Sequence, residues 1–228
     1  MSSRSVVIYG ASRQGAIVSE IILQANSADV VGFLDDDKEK IGSSICGIPV
    51  LGGFDWVTKN PREGLEAFVA IGNNDARILL SRRLREAGCY LTNVVHPSAI
   101  IMPSVVLGSG VLICAGAILI SGTRLEDDTV INTGVAVDHD SLICTGAYLS
   151  PGVRTAGCVT VGNGAFVGLG ALLGPNVKVG NGAVVGAGSV VLRDIEPDAM
   201  VAGTPARLIR KLEGNRNWQR ILAGPNER

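Results

Sequence analysis

A period of six residues runs through the chain from position 101 to position 191. Every sixth residue from Ile101 to Val191 is aliphatic except Thr155, and the residue two places before each of them is small or β-branched. Neither the 3.6-residue period of a helix nor the two-residue period of a strand produces this pattern, whereas a solenoid of short strands and tight corners does. The period therefore predicts coils of three hexads, stacked about 4.8 Å apart.

The composition agrees with narrow coils. Aromatic residues make up 4% of the chain and glycines number 30, which suits short strands around a thin interior. Several glycines directly follow inward residues, and we expect them at corners where a Cβ would be strained. These are Gly162, Gly168, Gly174, Gly180 and Gly186.

The residue before each inward aliphatic is expected to face outward, which sorts these residues into three walls. The first wall carries Leu112, Val130, Tyr148, Phe166 and Val184. The second carries Val106, Arg124, Leu142, Thr160 and Lys178, and the third carries Ile118, Ala136, Arg154, Leu172 and Val190. A continuous apolar wall marks a partner surface, and one such face closes most simply as a ring. The first wall therefore predicts a homotrimer.

Residues 1–96 follow a different pattern, in which strands at 6–9, 30–34 and 65–71 alternate with helices at 16–24 and 75–87. This alternation predicts a small parallel, Rossmann-like α/β sheet. We expect an α/β domain at 1–96, a coil domain at 97–194 and a C-terminal extension at 195–228.

Three loops are expected at the carboxyl edge of that sheet, where ligands bind in open parallel sheets. They contain Ser12, Arg13 and Gln14, then Asp36 and Asp37, then Gly72 and Asn73. The stretch GASRQG suits a phosphate at a helix N-terminus, and the carboxylates suit ribose or base edges. Ser12 stands where a dinucleotide fingerprint has glycine, which disfavours an oxidoreductase. A nucleotide site is favoured over three unrelated turns.

His139 is one of only two histidines and lies between Asp138 and Asp140. The hexad register places it at a corner, so it is not a core residue. A neighbouring carboxylate can fix the imidazole tautomer and raise its basicity, as a general base requires. We assign this orienting role to Asp140 and expect Asp138 to be solvated. A solvated histidine without function is the alternative.

Charge and cysteine usage exclude several classes of protein. The 20 basic and 21 acidic residues generate no field that would attract nucleic acid or an anionic membrane. The five cysteines lack CxxC spacing, which argues against disulfides and structural zinc and favours the cytoplasm. No apolar run suits a signal peptide or a membrane span. Cys144 and Cys158 stay open as nucleophiles.

The chain resembles the NeuD/PglD-like sugar acetyltransferases. The resemblance rests on IYGAS, FLDDD, GIPVLG and AIGNN, on NTG-x-x-V-[DE]-H-[DE] within the hexads, and on VAGTPAR, and it covers nearly the whole chain. It implies a left-handed parallel β-helix, an exception to the usual crossover hand, and a homotrimer. It also implies transfer of an acetyl group from acetyl-CoA to the amine of a nucleotide-linked sugar, expected to be a 4-amino-4,6-dideoxy sugar.

The resemblance assigns roles to individual residues. His139 matches the catalytic base, Asp140 its acidic partner and Asn132 an asparagine near the acceptor. The loop residues of the first domain match nucleotide contacts: Ser12, Arg13, Gln14, Asp36, Asp37, Gly72 and Asn73. Positions in the acetyl-CoA groove between subunits are matched by Gly157, Gly168, Leu169, Gly186 and Ala187, and Arg207 is expected at the CoA phosphates.

Two departures from the family pattern stand out. Arg13-Gln14 replaces a frequent Gly-His, and Tyr148 replaces a histidine that meets the acetyl-CoA carbonyl region. A tyrosine hydroxyl can also donate a hydrogen bond.

No metal is predicted, because the β-helical γ-type carbonic anhydrases need three histidine ligands for zinc and only His139 lies within the coils. Sialate-type O-acetylation and a non-catalytic trimeric nucleotide-sugar scaffold stay open as alternatives.

Overall fold

The structure, a computed structural model, describes residues 4–60 and 65–212. The chain divides into an α/β unit, Met1–Gly72 with Ala76–Pro97, and a coil unit, Asn73–Asp75 with Ser98–Arg228. Residues 213–228 of the predicted C-terminal extension lie outside the described residues.

The α/β unit contains seven short strands and three α-helices among its described residues. The strands are β1 (Ser5–Tyr9), β2 (Asp29–Leu34), β3 (Ser44–Ile45), β4 (Ile48–Gly52), β5 (Glu66–Val69), β6 (Tyr90–Leu91) and β7 (Val94–Val95). The α-helices are α1 (Arg13–Ala25), α2 (Asp55–Lys59) and α3 (Asn74–Glu86), whose first two residues belong to the coil unit, and a 3₁₀ helix spans Lys38–Lys40.

The sheet of this unit has the order β3-β4-β2-β1-β5-β6. Its pairs are parallel except for the β3–β4 hairpin, so the predicted Rossmann-like class is confirmed. Sequence reasoning missed β3, β4, β6, β7 and α2. All but β4 and α2 are only two residues long, too short to show a period, and Pro49 interrupts the pattern of β4. No helix in residues 4–60 or 65–212 is long and apolar enough to cross a bilayer.

The core of the α/β unit lies between the sheet and its helices. Val7, Leu34 and Ala67, from three neighbouring strands, are each 0% exposed and pack with Leu84 of α3. Helix α1 begins after its N-cap Ser12, whose hydroxyl accepts a hydrogen bond from the Gly15 amide. This cap satisfies an N–H that the helix itself leaves unpaired.

The coil unit contains two-residue strands that recur every six residues. They are β8 (Ile100–Ile101), β9 (Val106–Leu107), β10 (Leu112–Ile113), β11 (Ile118–Leu119), β12 (Arg124–Leu125), β13 (Val130–Ile131), β14 (Ala136–Val137), β15 (Leu142–Ile143), β16 (Tyr148–Leu149), β17 (Arg154–Thr155), β18 (Thr160–Val161), β19 (Phe166–Val167), β20 (Leu172–Leu173), β21 (Lys178–Val179), β22 (Val184–Val185) and β23 (Val190–Val191). A hairpin of β24 (Ala199–Gly203) and β25 (Ala206–Lys211) follows.

Each short strand pairs in parallel with the strand three positions along the chain. On the first wall, for example, Leu112 lies beside Val130 and Val130 lies beside Tyr148. The inward residues Ile131, Val137 and Leu149 are each 0% exposed. The predicted hexad register and the left-handed β-helix class are therefore confirmed.

The glycines that follow inward residues were expected to relieve backbone strain at corners, but the structure shows a different reason for glycine at these positions. Positive φ angles fall two residues later, for example at Gly164 and Gly170. Gly162 and Gly168 instead face the next coil, where an added Cβ would lie 2.6 Å from Oδ1 of Asn181 and from the Val185 carbonyl oxygen respectively. The spacing of the coils, rather than a left-handed corner, therefore excludes a side chain there.

The outward side chains of the first wall are buried within the single chain. The prediction that this wall is an exposed partner surface is therefore wrong. Its outward residues are 1–3% exposed, and Tyr148 is 9% exposed, in the single chain. The cover comes from the same chain. The amide of Asn74, which belongs to the coil unit, donates to the carbonyl oxygens of Gly164 and Ala165, next to Phe166. An apolar outward wall therefore needs no second subunit to bury it.

Candidate active site

His139 lies at the corner between β14 and β15, and its Nδ1 atom lies 3.0 Å from Oδ2 of Asp140. Both side chains are open to solvent, at 54% and 67% exposure. The hydrogen bond to Asp140 is the main cause that raises the pKa of His139. Desolvation opposes it, and the charges of Asp138 and Asp140 add to it. The structure thus brings together an accessible imidazole and a carboxylate that increases its basicity, as a general base needs.

Hydroxyl groups hold the backbone of this corner. The amide of Asp138 donates to Oγ1 of Thr155 at 3.1 Å, and Oγ1 of Thr123 donates to the Asp138 carbonyl at 3.2 Å. The Asp138 carboxylate accepts from the His139 amide at 2.8 Å. Asp138 therefore fastens the turn that presents His139 while its side chain stays partly exposed.

Thr155 is a site residue that sequence reasoning passed over. It is the one inward hexad position that is not aliphatic, and it is buried at 8% exposure beneath the His139 corner. A buried hydroxyl needs a partner, and it finds one in the Asp138 amide. The sequence did contain a signal for this residue, because a polar side chain interrupts the row of inward aliphatic residues one coil after Val137.

Gly157, predicted in the acetyl-CoA groove, lies directly against the imidazole. A Cβ placed at this position would overlap Nε2 and would lie 2.5 Å from Cε1 of His139. The ring therefore rests in space that only glycine leaves open. This contact gives Gly157 a positioning role for His139, whether or not the cofactor passes nearby.

Cys158 is the next residue of the same corner. Its amide donates to the His139 carbonyl oxygen at 2.8 Å. Ligand atoms of His139, Asp140 and Cys158 all lie within 4.8 Å of one another. Within residues 4–60 and 65–212, this is the one group of three or more such side chains close enough to hold a metal ion.

Asn132 and Tyr148, predicted separately, form a pair on the first wall. The Asn132 amide donates to the Tyr148 hydroxyl at 2.9 Å, and its Oδ1 accepts from the Thr133 amide. The Tyr148 ring stacks on Phe166 with centroids 5.4 Å apart. The hydroxyl is thus held in a defined position at the edge of a buried apolar layer.

The remaining predicted cofactor residues lie elsewhere on the coils. Leu169, at 58% exposure, and Ala187 lie on the corner between the first and third walls, next to Gly168 and Gly186. The third wall separates that corner from the corner that carries His139 and Gly157. Within one chain, Gly157 therefore does not share a groove with the other predicted cofactor residues. Arg207 lies exposed on β25 and donates to the Ala206 carbonyl oxygen.

The first predicted nucleotide loop of the α/β unit lies at the start of α1. Arg13 and Gln14 form its first turn, after the N-cap Ser12. Ser12 and Arg13 are exposed, so the turn is open to an anion. The positive end of the helix dipole and the Arg13 charge both favour a phosphate there.

The three aspartates of the second loop hold neighbouring segments in place. Burial raises the pKa of Asp35, but the Lys40 ion pair and backbone N–H groups outweigh this effect, so the pKa lies below its usual value. Each carboxylate accepts a backbone hydrogen bond: Asp35 from Ala11, Asp36 from Phe54 and Asp37 from Glu39. The structure therefore gives these residues a structural task, and nucleotide contact by Asp36 and Asp37 stays a prediction.

A cleft of about 440 Å³ opens beside Asp36. Its lining includes Leu51, Gly53, Phe54, Trp56 and Lys59. An aromatic ring with a nearby cation suits a nucleobase and its phosphates. Sequence reasoning missed this cleft because it rests on β4 and α2, which were not predicted.

The third loop is held by a buried arginine. Arg77 of α3 is 1% exposed and donates to the carbonyl oxygens of Ile71 and Gly72, at 3.0 Å and 3.5 Å. Its guanidinium therefore fixes the loop that carries Gly72 and Asn73. The sequence showed only a basic helix, with no signal that one of its arginines turns inward.

Comparisons with known proteins agree with this arrangement. Residues 5–84 match the family model described as the PglD N-terminal domain. PerB from Caulobacter crescentus, solved with CoA and GDP-perosamine, shares 36% identity with a TM-score of 0.85, over 90% of this chain and 97% of that chain. A histidine-to-alanine mutant of the same bacterium's GDP-perosamine N-acetyltransferase, solved with the same two ligands, shares 36% identity with a TM-score of 0.86, over 91% and 97%.

A third similar structure is the acetyltransferase domain of PglB from Neisseria gonorrhoeae FA1090 in complex with acetyl coenzyme A. It shares 30% identity with a TM-score of 0.84, over 91% of this chain and 100% of that chain. The similarity to these structures runs through both units, so it covers the loops of the α/β sheet as well as the coils.

Proposed function

The chain belongs to the NeuD/PglD-like sugar acetyltransferases, and from this premise we propose that it acetylates the amine of a nucleotide-linked 4-amino-4,6-dideoxy sugar. Acetyl-CoA is the acyl donor. The observation that carries the proposal is the exposed pair of His139 and Asp140 at a coil corner. The acceptor class is supported by the GDP-perosamine bound in PerB.

In the proposed reaction the neutral sugar amine attacks the thioester carbonyl directly. A C–N bond forms, the C–S bond breaks, and CoA leaves as a thiolate that then takes up a proton. His139 accepts the proton that the amine nitrogen loses, with Asp140 holding the ring, and no acyl-enzyme is formed. General-base assistance of this kind contributes about 10²–10⁴-fold.

The nucleotide is proposed to bind to the α/β domain, residues 1–96. The first turn of α1, with Ser12, Arg13 and Gln14, suits the diphosphate. Asp36 and Asp37 would contact the ribose, and the cleft beside Asp36 offers Trp56 to the base. Gly72 and Asn73 would complete this edge of the sheet, and Asn132 would meet the sugar on the coil domain, residues 97–194.

We propose that acetyl-CoA binds between subunits of a homotrimer, with the third wall facing the neighbour. Exposed aliphatic side chains lie on or beside that wall: Ile100 at 53%, Leu172 at 44% and Leu169 at 58%. The two corners that flank it carry the predicted cofactor residues, so two adjacent subunits together would supply one complete groove. These are Gly157 on one corner and Gly168, Leu169, Gly186 and Ala187 on the other, with Tyr148 and Arg207 as further contacts.

The trimer is tested by the molar mass in solution. Light scattering on the eluting protein should give three times the chain mass, and Leu172→Asp should shift it towards the monomer, because a charge would be buried at the contact. Leu142→Asp, on the second wall, is the matched control and should stay trimeric. A monomeric wild type, or equal behaviour of the two variants, would refute this interface.

We further propose a cytoplasmic enzyme that serves glycan biosynthesis. All five cysteines are free thiols, as is usual in a reducing compartment. An N-acetylated nucleotide sugar is a substrate for glycosyl transfer. The proposed acetylation would therefore precede the transfer of the sugar to a glycan. Within the described part of the predicted extension, β24 and β25 continue the first-wall sheet beside β22.

The reaction is tested by incubating the protein with acetyl-CoA and GDP-perosamine, followed by mass spectrometry of the sugar product. An acetylated amine is the expected result, with no product from the matched sugar that carries a hydroxyl in place of the amine. Acetylation of the hydroxyl alone would favour the O-acetyltransferase alternative. Nucleotide binding without product, across several bases and aminosugars, would favour the non-catalytic scaffold.

A further inference from the structure

We propose that His139, Asp140 and Cys158 form a binding site for a thiophilic divalent cation, of which Zn²⁺ is the type, and that the bound ion shuts off acyl transfer. The ion is an inhibitor and not a cofactor. The inhibitory effect rests on the function proposed above, whereas the binding site rests on geometry alone.

The three side chains are brought together by the stacking of two coils. Asp140 and Cys158 occupy the same corner position in successive coils, with φ angles of 54° and 59°. The Cys158 amide donates to the His139 carbonyl, which locks the two corners to each other. Because the coils repeat about every 4.8 Å, side chains that leave equivalent positions run side by side. The ligand atoms of Asp140, Cys158 and the adjacent His139 all lie within 4.8 Å of one another.

The chemistry of this set fits zinc. An imidazole nitrogen, a thiolate and a carboxylate are the ligand types that Zn²⁺ takes, at about 2.0–2.3 Å. Two ligands of one tetrahedral zinc lie about 3.5 Å apart at those bond lengths. The three side chains are exposed, so rotations about their own bonds can bring the atoms to that spacing. Solvent would occupy the fourth position, and the thiol proton would leave to water on binding.

Cys158 is also an unusual occupant of its position. The coil corners at positive φ otherwise carry glycine, asparagine or aspartate among the described residues. A residue with a Cβ costs roughly 1–2 kcal/mol in this conformation, and asparagine and aspartate offset part of that through local hydrogen bonds. A cysteine gains no such offset. A thiol at a disfavoured corner beside the proposed base therefore favours a use of the sulfur.

The consequence for the reaction follows from the ligand set. A metal bound to an imidazole nitrogen occupies the lone pair that would accept the proton. Binding can also move the ring out of its contacts with Gly157 and Asp140. The imidazole can then no longer accept the amine proton. Saturating Zn²⁺ should slow turnover by about 10²–10⁴-fold, the contribution of the general base.

Binding is tested with Co²⁺ as a spectroscopic probe, in the full chain and without CoA. A thiolate bound to Co²⁺ gives a charge-transfer absorption in the near ultraviolet. The expected result is a saturable band at one Co²⁺ per chain, lost in Cys158→Ser. Cys46→Ser is the matched control, since Cys46 is also exposed and also has a positive φ of 52°, and it should keep the band. Absence of the band in the wild type, or its survival in Cys158→Ser, would overturn the site.

Serine keeps the size of cysteine, and a thermal melt of Cys158→Ser checks that the coils stay folded. Asp140→Asn gives a second test that retains the thiol, and it should weaken Co²⁺ binding by at least about 10–100-fold.

Inhibition is then measured by mass spectrometry of the acetylated sugar with and without Zn²⁺, each variant compared with its own metal-free rate. Zn²⁺ that binds but leaves the rate unchanged would overturn the inhibitory role. If the chain acetylates no acceptor, the proposed function fails and the cobalt band still decides the site.

Discussion

The three aspartates of the second α/β loop and Asp140 of the coil unit are used in opposite ways. At the carboxyl edge of the α/β sheet, Asp35 and Asp36 accept backbone hydrogen bonds from other segments, and Asp37 accepts one from the turn that follows it. At the coil corner, Asp140 instead pairs with the His139 ring, and both side chains stay more than half exposed. Carboxylates that fasten loops and a carboxylate that tunes a base are thus distinguished by their partners, not by their residue type.

This difference teaches where rigidity comes from in each unit. Parallel strands end in irregular loops, so the α/β unit needs side chains to hold those loops. The coils hold their corners mainly through the repeated backbone pairing of stacked turns, for example Asp140 to Ser121 and Cys158 to His139, and side chains such as Asp138 add to it. At the His139 corner the imidazole and the Asp140 carboxylate are therefore available for chemistry.

The largest effect that tests this comparison is expected from His139→Ala. Turnover should fall by about 10²–10⁴-fold because the proton acceptor is lost, while the thermal midpoint stays unchanged because the side chain is exposed. The rate of acetylated product formation and a thermal melt measure the two. Near-normal turnover would remove the catalytic role from this corner.

The pH profile of the same reaction gives an independent check. A raised pKa means that His139 stays protonated, and inactive as a base, to higher pH than an ordinary histidine. Activity should therefore rise as pH passes through that raised pKa. Asp140→Asn removes the main cause of the shift, so its rising limb should move to lower pH, and an unmoved limb would contradict the pairing.

The next largest effect is expected from Asp35→Asn in the α/β unit. The free energy of unfolding should fall by about 1.5–3 kcal/mol, because bonds from the Ala11 amide and Lys40 to a charged carboxylate are weakened. The lowered pKa of Asp35 means that this stabilisation is present above the unfolded carboxyl pKa and is lost as pH falls through the folded one. Urea unfolding followed by tryptophan fluorescence at neutral and acid pH should show the difference vanish in acid.

A smaller effect on rate is expected from Gly157→Ala. The new methyl group would displace the imidazole, and a misplacement of this size costs about 10–100-fold in turnover. Gly174→Ala is the control, since its Cβ would meet the Val191 carbonyl oxygen at 3.2 Å and not the histidine. Equal losses in the two variants would indicate general damage to the coils.

The smallest effect is expected from Tyr148→Phe on the first wall. Loss of the bond to Asn132 should cost about 0.5–1.5 kcal/mol, equivalent to a two- to tenfold fall in kcat/KM for acetyl-CoA if the hydroxyl serves the reaction. The stacking on Phe166 would survive. A loss of stability with unchanged kcat/KM would make this wall structural only, which would sharpen the contrast with the His139 corner.

Much of the coil unit was predictable because its order is local. The hexads predicted the inward ladder and the corner position of His139, and the interruption at Thr155 marked a site residue that deserved more weight. The α/β unit was less predictable. Its class followed from alternating strands and helices, but the inward turn of Arg77 and the cleft beside Trp56 depend on contacts that no period records.

The sequence alone determined the register of the coils, because a fixed spacing of six between corners decides which side chain points inward. It also determined that a single histidine among the coils lies at a corner with a carboxylate beside it. The tertiary structure decided that the first wall is covered, through contacts such as Asn74 with Gly164, which lie 90 residues apart. It also decided that Gly157 and Cys158 flank the imidazole. Burial and proximity between distant segments depend on how the chain returns on itself, and a one-dimensional pattern does not contain that information.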